Sequence, residues 1–507
     1  MVNFINCGRK EFICRTKGKA VYCFGAGKYL KDFAKEEYGI PIKGIIDNYR
    51  RADALSVTFY GIEAKIVSIE RFLELYDDTC AVVITSSFFA EILEQLDSLE
   101  QLVGMDCYID LFIRRYADEK MDLELDMLQA RRRKQDIFCY GNGMGQGSGD
   151  TRRYQIWEYA GEDYVAGGKA PRDIKSILES RGYETISIHP YKEGDGESEE
   201  SWSYQRLREE WKKGYDRIDP NSLLFLQYPF RQRQKERRQM LSRLKAEKNI
   251  GIITLLHDVE QLRKIFLHTF SEGDFRFLTD ISDAVIVHNR RMREYFIETG
   301  MDGKKLVSLD LFDYLYHETD FQKQFEKSIV IAGNLDKRKS PYIGELGKLK
   351  PLHIHLYGPN YTNKPDEWED GESIIYHGSF PSNEIPQILD RGFGLVWDGD
   401  SLDTCSGSTG EYLRYNNPHK LSLYLASGLP VIIWKEAAEA AFVEKHGVGF
   451  TVNSLYEIQK LLENVTKEQY VRFLSQVQKI SAKLIQGEYT RLAVEKAENI
   501  AKAGLSE

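Results

Sequence analysis

The sequence predicts an α/β protein of parallel sheets, divided into three units. Short apolar runs alternate with helix-patterned segments along almost the whole chain. Most of those runs stop where glycine or polar residues begin, as strands do when they emerge into loops. The chain has 507 residues, which at roughly 150 per domain suggests about three.

Lys19–Phe24 is a short apolar strand, GAGKYLKDFAKEEYG turns into a helix, Ile42–Asp47 is a second strand and Ala81–Thr85 a third. This succession predicts a small Rossmann-like accessory domain over 1–135. Within it Asp118–Lys134 has helical spacing and leads outward. Gly141–Asp150 (GNGMGQGSGD) holds five glycines in ten residues. It lacks the Lys-Ser/Thr of a P-loop, and both a linker over 136–153 and a ligand loop fit it.

A second unit, 154–320, opens with the strand Tyr154–Tyr159. The loop AGEDYVAGGKAPRD, the helix IKSILESRG and the polar insertion KEGDGESEES follow. Its further strands are Leu223–Gln227, Gly251–Leu256, Ala284–Val287 and Lys305–Leu309. A third unit, 321–507, has strands SIVIAG, LHIHLYG, SIIYHG, FGLVW and PVIIW, then C-terminal helices. The last two units share architecture but no sequence repeat, as two facing Rossmann-like domains would.

Composition narrows the function. Apolar residues at 42% and charged ones at 29% describe a folded chain. A mean hydropathy of −0.45 and the lack of a long apolar run argue against a transmembrane span. The first residues do not read as a secretory signal. The seven cysteines have no paired spacing, as expected of reduced cytoplasmic thiols. A net charge of −9 argues against nucleic acid as a partner.

Two motifs carry chemistry by themselves. Gly25-Ala26-Gly27 follows a strand, and Asp47 ends the next. Gly25 suits the tight turn, Gly27 the approach of a diphosphate, and Asp47 the ribose hydroxyls, but Leu30 replaces the third glycine. A packing turn and a nucleotide site both fit, and a nicotinamide-dependent oxidoreductase is one class this motif leaves open. In the stretch Gly394–Trp434, Asn417 suits an N-cap and Pro418 the first position of the helix HKLSLYLAS. Lys420 then falls in the first turn, where free N–H groups already favour an anion, so it is a candidate phosphate ligand.

From Tyr154 onward the chain resembles the bacterial GT-B sugar transferases that include galactofuranosyltransferases and the glucosyltransferases of serine-rich-repeat adhesin glycosylation. The strings are GGKAPRDIKSILESRGY (167–183), LLHDVEQLR (255–263), DAVIVHN (283–289), IAGNLDKRK (331–339), LHIHLYGP (352–359) and GLVWDG…NNPHK…LASGLPVII. The front unit resembles accessory modules appended to polysaccharide-biosynthesis enzymes. The resemblance implies two Rossmann-like domains, with acceptor mainly in the first and donor nucleotide in the second.

It also implies roles. Gly333, Asn334, Arg338 and Lys339, with Lys420 and Asn417, would face the donor diphosphate, and Tyr357 and Gly358 the base or ribose. Asp398 would bind donor-sugar hydroxyls. Asp398-Gly399-Asp400 also invites a metal reading, but two late α/β units imply GT-B, and no metal or cofactor is expected. The Ser/Thr/Gly-rich segment behind it reads as a lid. Asp258 is the favoured base, with His257 binding sugar or phosphate. Gly168, Lys169, Asp173 and Arg263 are candidates for the acceptor side. The expected function is hexosyl transfer, galactofuranosyl first and glucosyl second, from a UDP-sugar to a saccharide or lipid-linked saccharide. An inactive nucleotide-sugar-binding scaffold is the alternative. The expected location is cytoplasmic; peripheral membrane contact and a homo-oligomer are compatible with it.

Overall fold

A computed structural model describes residues 1–113, apart from 6, 8, 37, 49–55, 60–61, 87 and 111–112, and then 151–158, 168–189, 202–230, 235–263, 269–317, 323–362 and 373–506. Asp118–Lys134, the glycine-rich 141–150 and the insertion KEGDGESEES lie outside the described residues. The chain divides into two compact units, Met1–Tyr140 and Gly141–Glu507.

The first unit is built on seven strands: β1 (Asn3–Ile5), β2 (Ala20–Phe24), β3 (Ile42–Ile46), β4 (Ser56–Phe59), β5 (Ile62–Val67), β6 (Cys80–Ile84) and β7 (Asp106–Ile109). Their order is β1-β7-β6-β2-β3-β5-β4, with only β4 antiparallel to its neighbour. The run CAVVI of β6 is buried at every position, as expected of a central parallel strand covered on both faces.

The second unit holds two six-stranded parallel sheets. One comprises β8 (Arg153–Glu158), β9 (Glu184–Ile188), β10 (Leu223–Tyr228), β11 (Gly251–Leu256), β12 (Ala284–Val287) and β13 (Leu306–Ser308), in the order β13-β12-β11-β10-β8-β9. The other comprises β14 (Gln324–Ala332), β15 (His353–Tyr357), β16 (Ile374–Tyr376), β17 (Arg391–Val396), β18 (Val431–Trp434) and β19 (Gly449–Val452), in the order β16-β15-β14-β17-β18-β19. The second order is that of a dinucleotide-binding sheet, whose switch point lies between its first and fourth strands. Each sheet has its own buried core. The fold is GT-B: two Rossmann-like halves, preceded by a smaller α/β unit.

One element crosses between the halves. The last helix, Glu488–Ser506, belongs by sequence to the second half. Its Ala493, Val494, Ala497 and Ala501 instead pack into the core of the first, against Leu223, Phe225, Ile253 and Leu255. Small side chains on that face let the helix lie close to the sheet.

Candidate active site

The site lies where strand ends of the two halves meet, around a cavity of about 420 Å³. That volume suits a ligand of nucleotide-sugar size. From the second half, β14 delivers Gly333 and Asn334, β15 delivers Gly358, and β17 delivers Asp398. From the first, β11 delivers Asp258. Ligands gather at such carboxyl ends because the strands stop there and the loops diverge.

Glycine is required where the second-half loops nest. Gly358 has φ +140, and a Cβ on it would lie 1.8 Å from the Gly333 carbonyl oxygen. Gly333, at φ +139, faces Lys420. The helix His419–Ala426 carries Lys420 in its first turn, and its Nζ donates to the Trp397 carbonyl (2.9 Å) and to Asp398 Oδ2 (3.2 Å). An ammonium has three N–H bonds, so a third is left for a ligand. Asp398 also accepts from Ser340 Oγ at 2.6 Å. Burial opposes its ionisation, but Lys420 and Ser340 outweigh that and hold its carboxyl below the usual range. Lys339 lines the same wall.

Asp258 faces this cationic wall from the other half. Arg263 Nη1 reaches its Oδ2 at 2.8 Å. Burial in the cleft nonetheless raises the Asp258 pKa to about 6, with Glu260 adding to the rise and Arg263 and Lys339 opposing it. A carboxylate so placed is ionised at neutral pH, yet more basic than an ordinary aspartate, as a general base should be.

The other expected residues divide. Tyr357 lines the cavity and stacks on His377, with ring centroids 4.5 Å apart. Lys169 lines it too, but its ammonium is engaged by Asp173, which lies behind the wall, and by the Leu315 carbonyl at 2.9 Å. Gly168 caps the helix Lys169–Ser180. Arg338 points to solvent, 89% exposed, and forks onto Asp336. Of the two basic residues expected at the phosphate, Lys339 lines the cavity and Arg338 does not. His257 is not on the cavity wall: Nε2 meets Gln227 Oε1 at 2.7 Å, and the ring stacks on Phe312.

Asn417 also differs from expectation. Pro418, not Asn417, stands immediately before the helix, which begins at His419. Asn417 is buried, and its backbone N–H donates to His288 Nδ1 (2.8 Å) while its amide donates to the His288 carbonyl (2.7 Å). Asn289 donates to its side-chain oxygen at 2.7 Å. These bonds tie the halves together and consume the groups expected to meet the donor.

Tyr314, Tyr412 and His419 line the cavity without having been singled out in the sequence. His419 adjoins Lys420 in NPHK, which was its available signal. Tyr412 ends the segment expected to be a lid, whose last six residues form a short helix, Gly407–Tyr412. In the first unit Gly25 makes the tight turn, at φ +111 and against the Thr85 carbonyl. Gly27 caps the helix Lys28–Lys35, and Asp47 Oδ2 accepts from the Ala26 N–H of the same turn at 3.0 Å.

Both halves of the second unit match a known family in sequence. The N-terminal domain of the glucosyltransferase 3-like family matches residues 153–311 and its C-terminal domain matches 329–497. The chain is 36% identical to beta-1,6-galactofuranosyltransferase WbbI of Escherichia coli (strain K12), over 48% of this chain and 70% of that protein. It is 28% identical to glucosyltransferase 3 of Streptococcus gordonii, over 47% and 68% respectively. The crystal structure of AviGT4, a glycosyltransferase involved in avilamycin A biosynthesis, aligns at a TM-score of 0.42 with 12% identity, over 69% of this chain and 98% of that one. With both family domains matched in sequence order over the two facing sheets, the chain belongs to the glucosyltransferase 3-like family and is a glycosyltransferase.

Proposed function

We propose that this glycosyltransferase moves a hexosyl group, galactofuranosyl in the first instance, from a UDP-sugar to a hydroxyl of a saccharide or lipid-linked saccharide. The observation that carries the reading is one cavity with cations on one wall and a raised-pKa carboxylate on the other. Transfer breaks the bond from the anomeric carbon to the diphosphate, so negative charge grows on the leaving oxygen. Lys420, with the N–H groups of its helix, and Lys339 stabilise that charge where it develops. Asp258 takes the proton of the attacking hydroxyl.

Lysine charge in place of a metal is part of the proposal. Asp398, the first aspartate of the DGD string, is already bonded to Ser340 and Lys420, which supports its assignment to the donor site without an ion. The preference for galactofuranosyl follows the 36% identity to WbbI; glucosyl transfer is the second reading, supported by the glucosyltransferase 3 relatives. Donor binding is testable by thermal denaturation. UDP should raise the midpoint of the full chain, and Lys420→Ala should remove most of the rise. No shift with any nucleoside diphosphate would overturn the donor assignment.

A further inference from the structure

We propose that Tyr412 is a positioning residue: its hydroxyl, reaching across the cleft from the donor-binding half, sets Asp258 against the donor site. The inference rests on the reading of Asp258 as base. Tyr412 is buried, and its hydroxyl oxygen accepts from the Val259 backbone N–H at 3.0 Å. Val259 is itself fully buried, and its amide belongs to the peptide that follows Asp258. Fixing that N–H therefore fixes the backbone from which the carboxylate projects. Both Tyr412 and Asp258 line the cavity.

The tyrosine is in turn tied to the diphosphate side of the pocket. Its helix, Gly407–Tyr412, lies directly on the turn Asp398–Asp400. Asp400 N donates to the Ser406 carbonyl at 3.2 Å. A Cβ on Gly410 would lie 3.1 Å from the Asp398 carbonyl oxygen, and one on Gly399 would lie 2.1 Å from the Ser406 carbonyl oxygen. That turn carries Asp398, which holds Lys420. An unbroken series of contacts thus runs from Lys420 through Asp398, the glycine-packed helix and Tyr412 to Val259 and Asp258. The two glycines leave no slack between helix and turn, so a displacement at Asp398 is passed to the hydroxyl.

Tyr412→Phe keeps the ring and deletes the acceptor, leaving a buried N–H without a partner. The turn is then free to relax. A misplaced base at otherwise intact binding sites lowers turnover by an order of magnitude or more, on the order of 10²-fold for a shift near 1 Å. The expected result is a kcat lowered about 10- to 100-fold with the donor KM little changed. The pH profile gives the discriminating readout. In the unaltered protein turnover falls below about pH 6 as Asp258, facing Arg263, Glu260 and Lys339, takes up its proton. In Tyr412→Phe that limb should move toward the ordinary carboxylate range, because a loosened turn lets Asp258, whose side chain is 36% exposed, swing further into solvent.

A variant with unaltered kcat and an unaltered acid limb overturns the proposal. Asp258→Asn separates the two layers: if it retains turnover, the base assignment fails, whatever Tyr412 does. Should Tyr412→Phe not fold, hydrogen exchange in the unaltered full chain decides. The Val259 amide should exchange slowly, and more slowly still with UDP added. Exchange at the rate of an unbonded amide, with and without UDP, overturns the tether.

Discussion

At the scale of single residues, the cleft is populated by charges that the protein has already committed. Lys169 and Asp173 form a buried pair one helical turn apart, with side chains 10% and 7% exposed. Asp173 Oδ2 also accepts from Leu315 N at 3.0 Å, and Lys169 donates to the Leu315 carbonyl, so the pair grips the segment joining the halves. Lys169 lies 4.6 Å from the centre of the Tyr314 ring, which adds a second hold on that segment. Removing one member of such a pair leaves an uncompensated charge, at a cost of about 3–5 kcal/mol. Asp173→Ala should lower the stability of the full chain by that order in urea unfolding. A loss below about 1 kcal/mol, the range of surface pairs, would mean that water already reaches the lysine.

At the scale of elements, the crossing helix Glu488–Ser506 begins after Gly487, which has no side chain with which to cap it. Asp313, from the connecting segment, takes that part. Its Oδ2 accepts from Thr490 N at 2.6 Å and its Oδ1 from Tyr489 N at 3.3 Å. Losing a capping side chain costs roughly 1 kcal/mol. Asp313→Ala should show about that loss in its denaturation midpoint, whereas Asp313→Asn, which keeps an oxygen acceptor, should recover most of it. Equal losses would assign the effect to packing. This borrowed cap also marks where sequence reading stops. Runs such as VYCF, GIITLL and PVIIW are legible as strands because both faces of a parallel sheet are buried and nearly every position turns apolar. Lys420 is legible because its place in the first turn follows from helix signals within a few residues. Asn417 has the same local signals, but its partners, His288 and Asn289, lie more than a hundred residues away. Tyr412 and the destination of the last helix are likewise decided by packing between halves, and His257 by partners on a neighbouring strand and beyond its sheet, Gln227 and Phe312. None of these leaves a periodicity in the sequence.

At the scale of the whole molecule, the joint between the halves sets how stability depends on pH. Three histidines surround Phe312: His257 and His419 stack on it and His288 meets it edge-on. Burial lowers their pKa values to about 3 for His257 and His288 and about 4 for His419. The unfolded chain therefore binds three protons that the folded one refuses, and their contribution to stability is lost as pH falls from about 6.5. Three carboxyls act with the opposite sign. Burial raises Asp258 to about 6, Asp313 to about 7 and Glu439 to about 8. There the folded chain holds the extra protons, so stability is lost as pH rises from about 4 through those values. Between roughly pH 4.5 and 6 the two sets offset each other. Below about 4 the raised carboxyls are protonated in both states and only the histidine loss continues, steepened by carboxylates held below their usual range, Asp398 and Glu326 among them. Above about 6.5 the histidines are neutral in both states, while Asp313 and Glu439 go on losing protons. A melting series from pH 3 to 9 should thus peak near pH 5–6 and decline on both sides. Glu439→Gln should flatten the alkaline decline through pH 8 and, with one of the three offsetting carboxyls gone, should make stability fall more steeply as pH drops from about 6 to 4.5, leaving the behaviour below about pH 4 unchanged. A midpoint that climbs steadily to pH 8 would show that the carboxyls at the joint are solvated and that the halves stand open in solution.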